Sequence, residues 1–203
     1  MQLKQIVIAT RNAGKVEEIR ALFNDIQIPF IALADDDASE VEETGSTFAE
    51  NAEIKAVEYA RQLGSWCLAD DSGLEIAALG GRPGVLSARY GGADTGFPEK
   101  LKLLLDELKA IDGTERDARF VCVMVLADEA GNVRSSAEGE CRGRIALAPR
   151  GNGGFGYDPV FIPSGFDQTF GELSPRLKNT NSHRTRAAEK ILRYLLGLTG
   201  TQT

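Results

Sequence analysis

Apolar residues recur along this chain at two spacings, and the switches between them outline its elements. Residues 5–10 (Gln-Ile-Val-Ile-Ala-Thr) predict a strand. Val16, Ile19, Leu22 and Phe23 then fall at helical spacing. Residues 28–34 predict a second strand, followed by an acidic stretch from Asp35 to Glu43. Thr47 and Glu50 have the spacing of a capping box, which opens a helix running to about Leu63 with Phe48, Ala52, Ala56, Tyr59, Ala60 and Leu63 buried. Trp66–Ala69 predicts a buried strand with Asp70 and Asp71 at its C-terminal end, where Ser72 and Gly73 permit a turn. A turn-rich loop over 79–85 and a short helical piece over 87–90 follow. Leu101, Leu104, Leu105 and Leu108 give one face of an amphipathic helix over 98–110, which Asp112-Gly113 ends. Residues 118–127 are almost wholly apolar and belong in a sheet centre. After a turn at 129–132, residues 133–141 alternate as a half-exposed strand. That meander makes the sheet mixed. Residues 174–181 read as a polar connection carrying Lys178, and Asn181 or Ser182 caps a last helix through Ala187, Ile191, Leu192 and Leu195. The tail from Thr199 is expected to be disordered.

With 203 residues, the chain is long enough for one large domain or two small lobes. Its net charge of −7 excludes a general nucleic-acid binder, which needs a basic face. A polyanion handled here should be small and met by local cations or a metal. Cys67, Cys122 and Cys141 lack metal-like spacing, and two sit in apolar runs, so reduced core thiols and a cytoplasmic location are expected. The N-terminus leads straight into the first strand without a signal peptide. No apolar run approaches the roughly 20 residues that span a bilayer.

Candidate chemistry gathers at four places. Two carboxylates at a strand end suit Mg²⁺, which commonly bridges one or two carboxylates to substrate phosphates. They also suit a plain strand-to-turn junction with solvated aspartates, and because neighbouring strand residues face opposite ways, one aspartate can be structural. Arg11-Asn12-Ala13-Gly14-Lys15 puts Lys15 at a helix N-terminus directly after a strand, where free amides attract anions. The Walker spacing is absent, so a routine connection with a solvated lysine is the competing reading. Residues 151–156 formally match Gly-x-Gly-x-x-Gly, but Pro159-Val160-Phe161-Ile162-Pro163 follows instead of a helix, which rejects dinucleotide binding. Phe155 and Tyr157 between glycines instead suggest a loop where a flat ligand can stack, or an ordinary glycine turn with a core Phe. Last, His183, Arg184 and Arg186 place cations in the first turn of a helix, against its dipole.

Taken together these segments resemble the inosine/xanthosine triphosphate pyrophosphatases, the Ham1-like house-cleaning nucleotide hydrolases. The matching motifs are Thr10-Arg11-Asn12-Ala13-Gly14-Lys15, Glu42-Glu43-Thr44-Gly45 with Phe48, Asn51-Ala52-x-x-Lys55-Ala56 and Ala69-Asp70-Asp71-Ser72-Gly73-Leu74. They continue with Pro83-Gly84, Ser87-Ala88-Arg89-Tyr90, residues 153–159 and Ser182-His183-Arg184. Three places depart from the pattern: Arg11, where a smaller residue is common, the segment Gly96-Phe97-Pro98-Glu99-Lys100, which lacks the asparagine often found before this helix, and Thr185, where glycine is common.

The resemblance implies an elongated mixed β-sheet with flanking helices, forming two lobes around a central cleft. It implies one such domain over residues 1–198, a homodimer, and Mg²⁺-dependent hydrolysis of ITP, dITP or XTP to monophosphate and pyrophosphate. Thr10, Arg11, Asn12, Ala13, Gly14 and Lys15 would hold the triphosphate, helped by Lys55. Asp71 would be the proton acceptor and, with Glu42, hold the metal, while Ser72 would touch substrate. Phe155, Gly156, Tyr157, Asp158, Lys178, His183 and Arg184 would hold the base, with Lys178 and Arg184, donors only, reading the six-position carbonyl. A Maf-like pyrophosphatase acting on modified or pyrimidine nucleotides, and a nucleotide-binding regulator without turnover, are the alternatives.

Overall fold

Short strands and helices alternate through the first third of the chain in the computed structural model, which describes residues 3–34, 38–92, 94–111 and 115–199. Strand β1 (Ile6–Ile8) leads into helix α1 (Ala13–Leu22) and β2 (Phe30–Ala32); α2 (Phe48–Leu63) then leads into β3 (Cys67–Ile76). β2 and β3 both run parallel to β1, with Ile6 opposite Phe30 and Val7 opposite Cys67. Parallel neighbours need a long crossover, which α1 and α2 supply. After short 3₁₀ turns at Ala77–Leu79 and Gly84–Arg89 come α3 (Phe97–Ala110), β4 (Asp117–Ala127), β5 (Val133–Ile145) and β6 (Phe161–Pro163). Helices α4 (Pro175–Asn181) and α5 (His183–Thr199) complete the order. The six strands form one sheet in the order β2-β1-β3-β4-β5-β6, and β6 pairs antiparallel with β5. The fold is therefore mixed α/β with a mixed sheet, as the apolar spacing predicts, and β4 lies inside it.

Contacts divide the chain into two compact units. One comprises the chain up to Asp71, Cys122–Gly139 and Arg184 onward; the other comprises Ser72–Val121 and Glu140–His183. Each has its own core. In the first, Ile6 and Ile8, Ile19 of α1, Met124 and Leu126 of β4, and Ile191 and Leu195 of α5 are fully excluded from solvent. In the second, Leu74 and Ile76 of β3 pack with Leu101, Leu104, Leu105 and Leu108 of α3 and with Phe120, Phe161 and Phe170. Each such side chain stabilises its unit by about 1.5–3 kcal/mol.

Four expectations change. The strand carrying Asp70 and Asp71 does not end there, and Ser72-Gly73 is not a turn: β3 continues extended to Ile76. The apolar pattern explains this, since Leu74 and Ile76 are needed in the second core, and the Leu74 N–H finds the buried Ser87 hydroxyl at 2.9 Å. Residues 175–181, read as a polar connection, form α4, with Ser174 as N-cap accepting from the Leu177 N–H and Pro175 at the first helical position. Helix α1 begins three residues earlier than its apolar face, at Ala13, because Asn12 caps it by accepting the Lys15 N–H. Thr199, placed in a disordered tail, is the last residue of α5. The Asp35–Asp37 part of the acidic stretch, the Asp112-Gly113 helix stop and the tail from Gly200 lie outside the described residues. The capping box at Thr47 and Glu50 is present as expected. Among the described residues, no helix is long and apolar enough to cross a membrane.

Candidate functional site

Asp70 and Asp71 sit mid-strand, and each gathers its own set of cations. The Asp70 carboxylate is completely buried. It accepts from Arg184 Nε at 2.9 Å, from Lys15 Nζ at 2.5 Å and from the Cys122 thiol at 2.9 Å. Arg184, itself fully buried, also bonds Glu18 of α1 through Nη1. Burial alone would push the Asp70 carboxyl up, but Arg184 and Lys15 hold it well below the usual carboxylate range. Burial and the adjacent Asp70 charge push the Cys122 thiol far above its ordinary value, so it stays protonated and donates. The first-turn cation at Arg184, unfavourable beside the helix dipole, is thus held by two carboxylates.

Asp71 faces a different partner. Lys55, at the centre of α2, donates to Asp71 Oδ1 at 2.8 Å, to Glu43 Oε1 at 2.7 Å and to the Asp70 carbonyl at 2.9 Å. Asp71 Oδ2 is buried and has no hydrogen-bond partner among the described residues. Burial pulls the Lys55 ammonium down, yet Asp71 and Glu43 outweigh it and hold it above the ordinary lysine value. Burial pushes the Asp71 carboxyl above the usual range; Lys55 and Lys15 oppose that, and Glu43 adds to it. The two shifts look contradictory, since an ion pair should pull its acid down. The unpaired, solvent-free Oδ2 explains why burial prevails at the aspartate.

Around this pair, Thr10 Oγ1 accepts the Asn12 N–H, and the α1 N-terminus opens at Ala13-Gly14-Lys15. Arg11 is exposed and donates to the Ala38 carbonyl at 2.8 Å. Glu42, expected beside Asp71, is exposed, and the carboxylate that reaches the Lys55–Asp71 pair is Glu43.

The second unit assembles the aromatic loop around Asp158. Its buried carboxylate accepts the Phe155 N–H at 2.8 Å and pairs with Lys178 Nζ at 2.5 Å. A side chain at Gly154 (φ 69°) would put its Cβ 1.9 Å from Asp158 Oδ2, so only glycine lets the loop close on that carboxylate. Lys178 reaches from α4 over the Phe155 ring, 4.8 Å from its centroid. His183 is buried and stacks on Phe120, centroids 4.7 Å apart and planes within 10°. Phe155 and Gly156 are half-buried. Tyr157, expected as a ring open to a ligand, is a core residue: its hydroxyl donates to the Ser87 carbonyl at 2.8 Å and its ring meets Phe97 edge-on. Ser72 is half-buried on β3.

Thr10, Asn12, Ala13, Gly14, Lys15, Asp71 and Arg184 thus fall in the first unit, while Ser72, Phe155, Gly156, Tyr157, Asp158, Lys178 and His183 fall in the second. Arg184, expected among the base-holding residues, is joined instead to Asp70 and Glu18. Glu18, one helical turn beyond Lys15 on α1, is a site residue that no sequence motif marks. That spacing puts it on the Lys15 face, a signal that was available. Among the described residues, no group of three or more His, Cys, Asp or Glu could hold a metal by itself. An ion held there would take further ligands from water or a bound anion.

A profile of the Ham1 family matches residues 6–194. The chain belongs to that family. A dITP/XTP pyrophosphatase of Geobacillus kaustophilus is 50% identical over 190 residues, covering 93% of each chain. One of Gloeobacter violaceus is 48% identical over 94% of this chain and 93% of its own. Among solved structures, the HAM1 protein of Coxiella burnetii superposes with a TM-score of 0.88 at 42% identity, covering 96% of this chain and all of that one. The Ham1 protein of Staphylococcus aureus gives 0.84 at 38% identity over the same shares. The Ham1 fold thus extends over nearly the whole of the described chain.

Proposed function

We propose that this Ham1-family chain hydrolyses dITP, ITP and XTP between the α and β phosphorus, releasing the nucleoside monophosphate and pyrophosphate. The observation that carries this reading is Asp71 Oδ2, a buried carboxylate oxygen left unpaired beside two lysines and Glu43. The relatives named dITP/XTP pyrophosphatase supply the substrate class.

The orphaned oxygen, with Glu43 close by, fits a divalent cation, and an all-oxygen donor set completed by phosphates suits Mg²⁺. We assign Asp71 and Glu43 to hold it. When bound, the ion supplies charge neutralisation at the phosphates and a more acidic water. The chain's own residues do the rest. The α1 N-terminal amides and Lys15 bind the triphosphate. Asp71 accepts the proton of the attacking water with the carboxylate oxygen that does not hold the ion. Lys15 and Lys55 stabilise charge on departing pyrophosphate. Asp70 fixes Lys15 and Arg184 in place.

Base choice is assigned to the second unit. Lys178 only donates, so it favours the six-position carbonyl of hypoxanthine or xanthine over the amino group of adenine. Leaving such a buried donor unpaired can discriminate by several orders of magnitude. Asp158 keeps the ammonium aimed, and Phe155 offers its ring face. The free buried cysteines fit a cytoplasmic protein, and a homodimer is the form we expect in solution.

Purified protein incubated with Mg²⁺ and ITP, dITP, XTP, ATP or UTP, and assayed separately for pyrophosphate and phosphate, tests the reading. The expected result is pyrophosphate from the first three, lost in Asp71→Asn with nucleotide binding retained. Phosphate as the product, a preference for UTP, or full turnover in Asp71→Asn would each overturn it.

A further inference from the structure

Lys55 occupies an unusual position for a lysine expected to meet phosphate. Its ammonium has three N–H bonds, and the chain takes all three: Asp71 Oδ1 at 2.8 Å, Glu43 Oε1 at 2.7 Å and the Asp70 carbonyl at 2.9 Å. The side chain is 9% exposed, and so is that of Asp71. The two carboxylates assigned above to a divalent ion therefore converge on one buried ammonium. A buried carboxylate and a second, 25% exposed one brought together need a cation between them. The ammonium is that cation.

We infer that Lys55 is a stand-in for the metal and exchanges with it. The inference rests on the assignment of Asp71 and Glu43 to metal. A divalent ion engaging both carboxylates would lie within a few ångströms of Nζ, where like charges in a buried site repel. Lys55 carries its charge on a flexible four-carbon stem. The ammonium leaves the carboxylates as the ion arrives, and its three donors then need an acceptor, which the substrate phosphates provide. Metal and nucleotide binding are linked by this exchange: the ion alone must displace an ammonium that has nowhere favourable to go, whereas with nucleotide present the displaced ammonium gains a phosphate partner. By linkage each ligand strengthens the other by the same factor. Lys55 is thus a positioning residue for the metal as well as a phosphate contact. Asp71 Oδ2 is the point from which the exchange can start, because it is buried beside the ammonium and accepts no hydrogen bond from Lys55 or any other described residue.

The test is Mn²⁺ affinity, read by the electron-paramagnetic-resonance signal of the free ion, for parent, Lys55→Met and Asp71→Asn, with and without a non-hydrolysable α,β-imido analogue of ITP. Without nucleotide, Lys55→Met should bind Mn²⁺ at least tenfold tighter than parent, and the tightening produced by the analogue should shrink by the same factor or more. Equal or weaker Mn²⁺ binding in Lys55→Met, with parent binding lost in Asp71→Asn, overturns the exchange while leaving the metal assignment intact. Failure of every form to bind Mn²⁺, with or without the analogue, overturns both. Should Lys55→Met not fold, parent protein decides: reductive methylation of Lys55, followed by peptide mass spectrometry, should be at least fivefold faster with Mg²⁺ present, and an unchanged rate overturns the inference.

Discussion

Replacing Asp70 by Asn removes one charge and almost no volume, so it isolates the electrostatic role of a fully buried carboxylate in the first unit. In the parent, Asp70 is fully buried and balances Arg184 at 2.9 Å and Lys15 at 2.5 Å. After the change Arg184, also fully buried, keeps only Glu18 as a carboxylate partner among the contacts described above, and the amide cannot neutralise Lys15. Removing one member of a buried pair typically costs about 3–5 kcal/mol, because the remaining charge stays desolvated. Whole domains are stable by only about 5–15 kcal/mol, so the loss should be conspicuous. Urea unfolding followed by far-ultraviolet circular dichroism measures it as a fall in midpoint at unchanged slope. The pH dependence has a definite sign. The folded Asp70 carboxyl is depressed, so its contribution is fully present above the unfolded value near 3.9 and is lost as pH falls through the still lower folded value. The gap between parent and Asp70→Asn should therefore hold from pH 7 down to about pH 4 and close below that. The double variant Asp70→Asn/Arg184→Met should recover part of the loss, since it leaves no orphaned guanidinium. A gap under about 1 kcal/mol at pH 7, or a double variant worse than the sum of the singles, would refute the hub role of Asp70.

Three further outcomes are expected. Glu43→Gln should lower kcat with Mg²⁺ by at least tenfold, while Glu42→Gln should change it less than twofold; steady-state kinetics on ITP decides, and the reverse order would restore Glu42 as the metal carboxylate. Thr47→Ala removes the hydroxyl that accepts the Glu50 N–H at 3.1 Å and should lower stability by about 1 kcal/mol, or roughly 2–4 °C in Tm by calorimetry. Burial pushes the Cys67 thiol up to about 12 and the Cys122 thiol well above its ordinary value, so at pH 8 neither should react with iodoacetamide in the folded protein, and both should react in 6 M guanidinium. Mass spectrometry of the alkylated peptides distinguishes the cases.

The parts of this molecule legible from sequence are those set by local rules. Apolar spacing located α1, α2, α3 and α5 and the strands β1, β4 and β5, and the capping box at Thr47 was readable because its two hydrogen bonds span only three residues. What could not be read depends on partners far apart in the chain. Ser72-Gly73 looks like a turn until Leu74 and Ile76 are seen to be claimed by a second core. Arg184 looks like a ligand-seeking cation, since nothing nearby in sequence offsets its charge; the carboxylates it bonds include Asp70, 114 residues away, and Glu18, 166 away. Lys178 depends in the same way on Asp158, 20 residues upstream. Glu42 and Glu43 are adjacent, and no composition rule separates them. In the fold Glu43 bonds Lys55, while Glu42 is exposed. In each case the residue type was recognised as chemically capable, and what the fold added was which charge answers it. A buried ion pair is chosen by three-dimensional proximity alone, so single-chain reading finds the cations and the acids of a site well before it can match them.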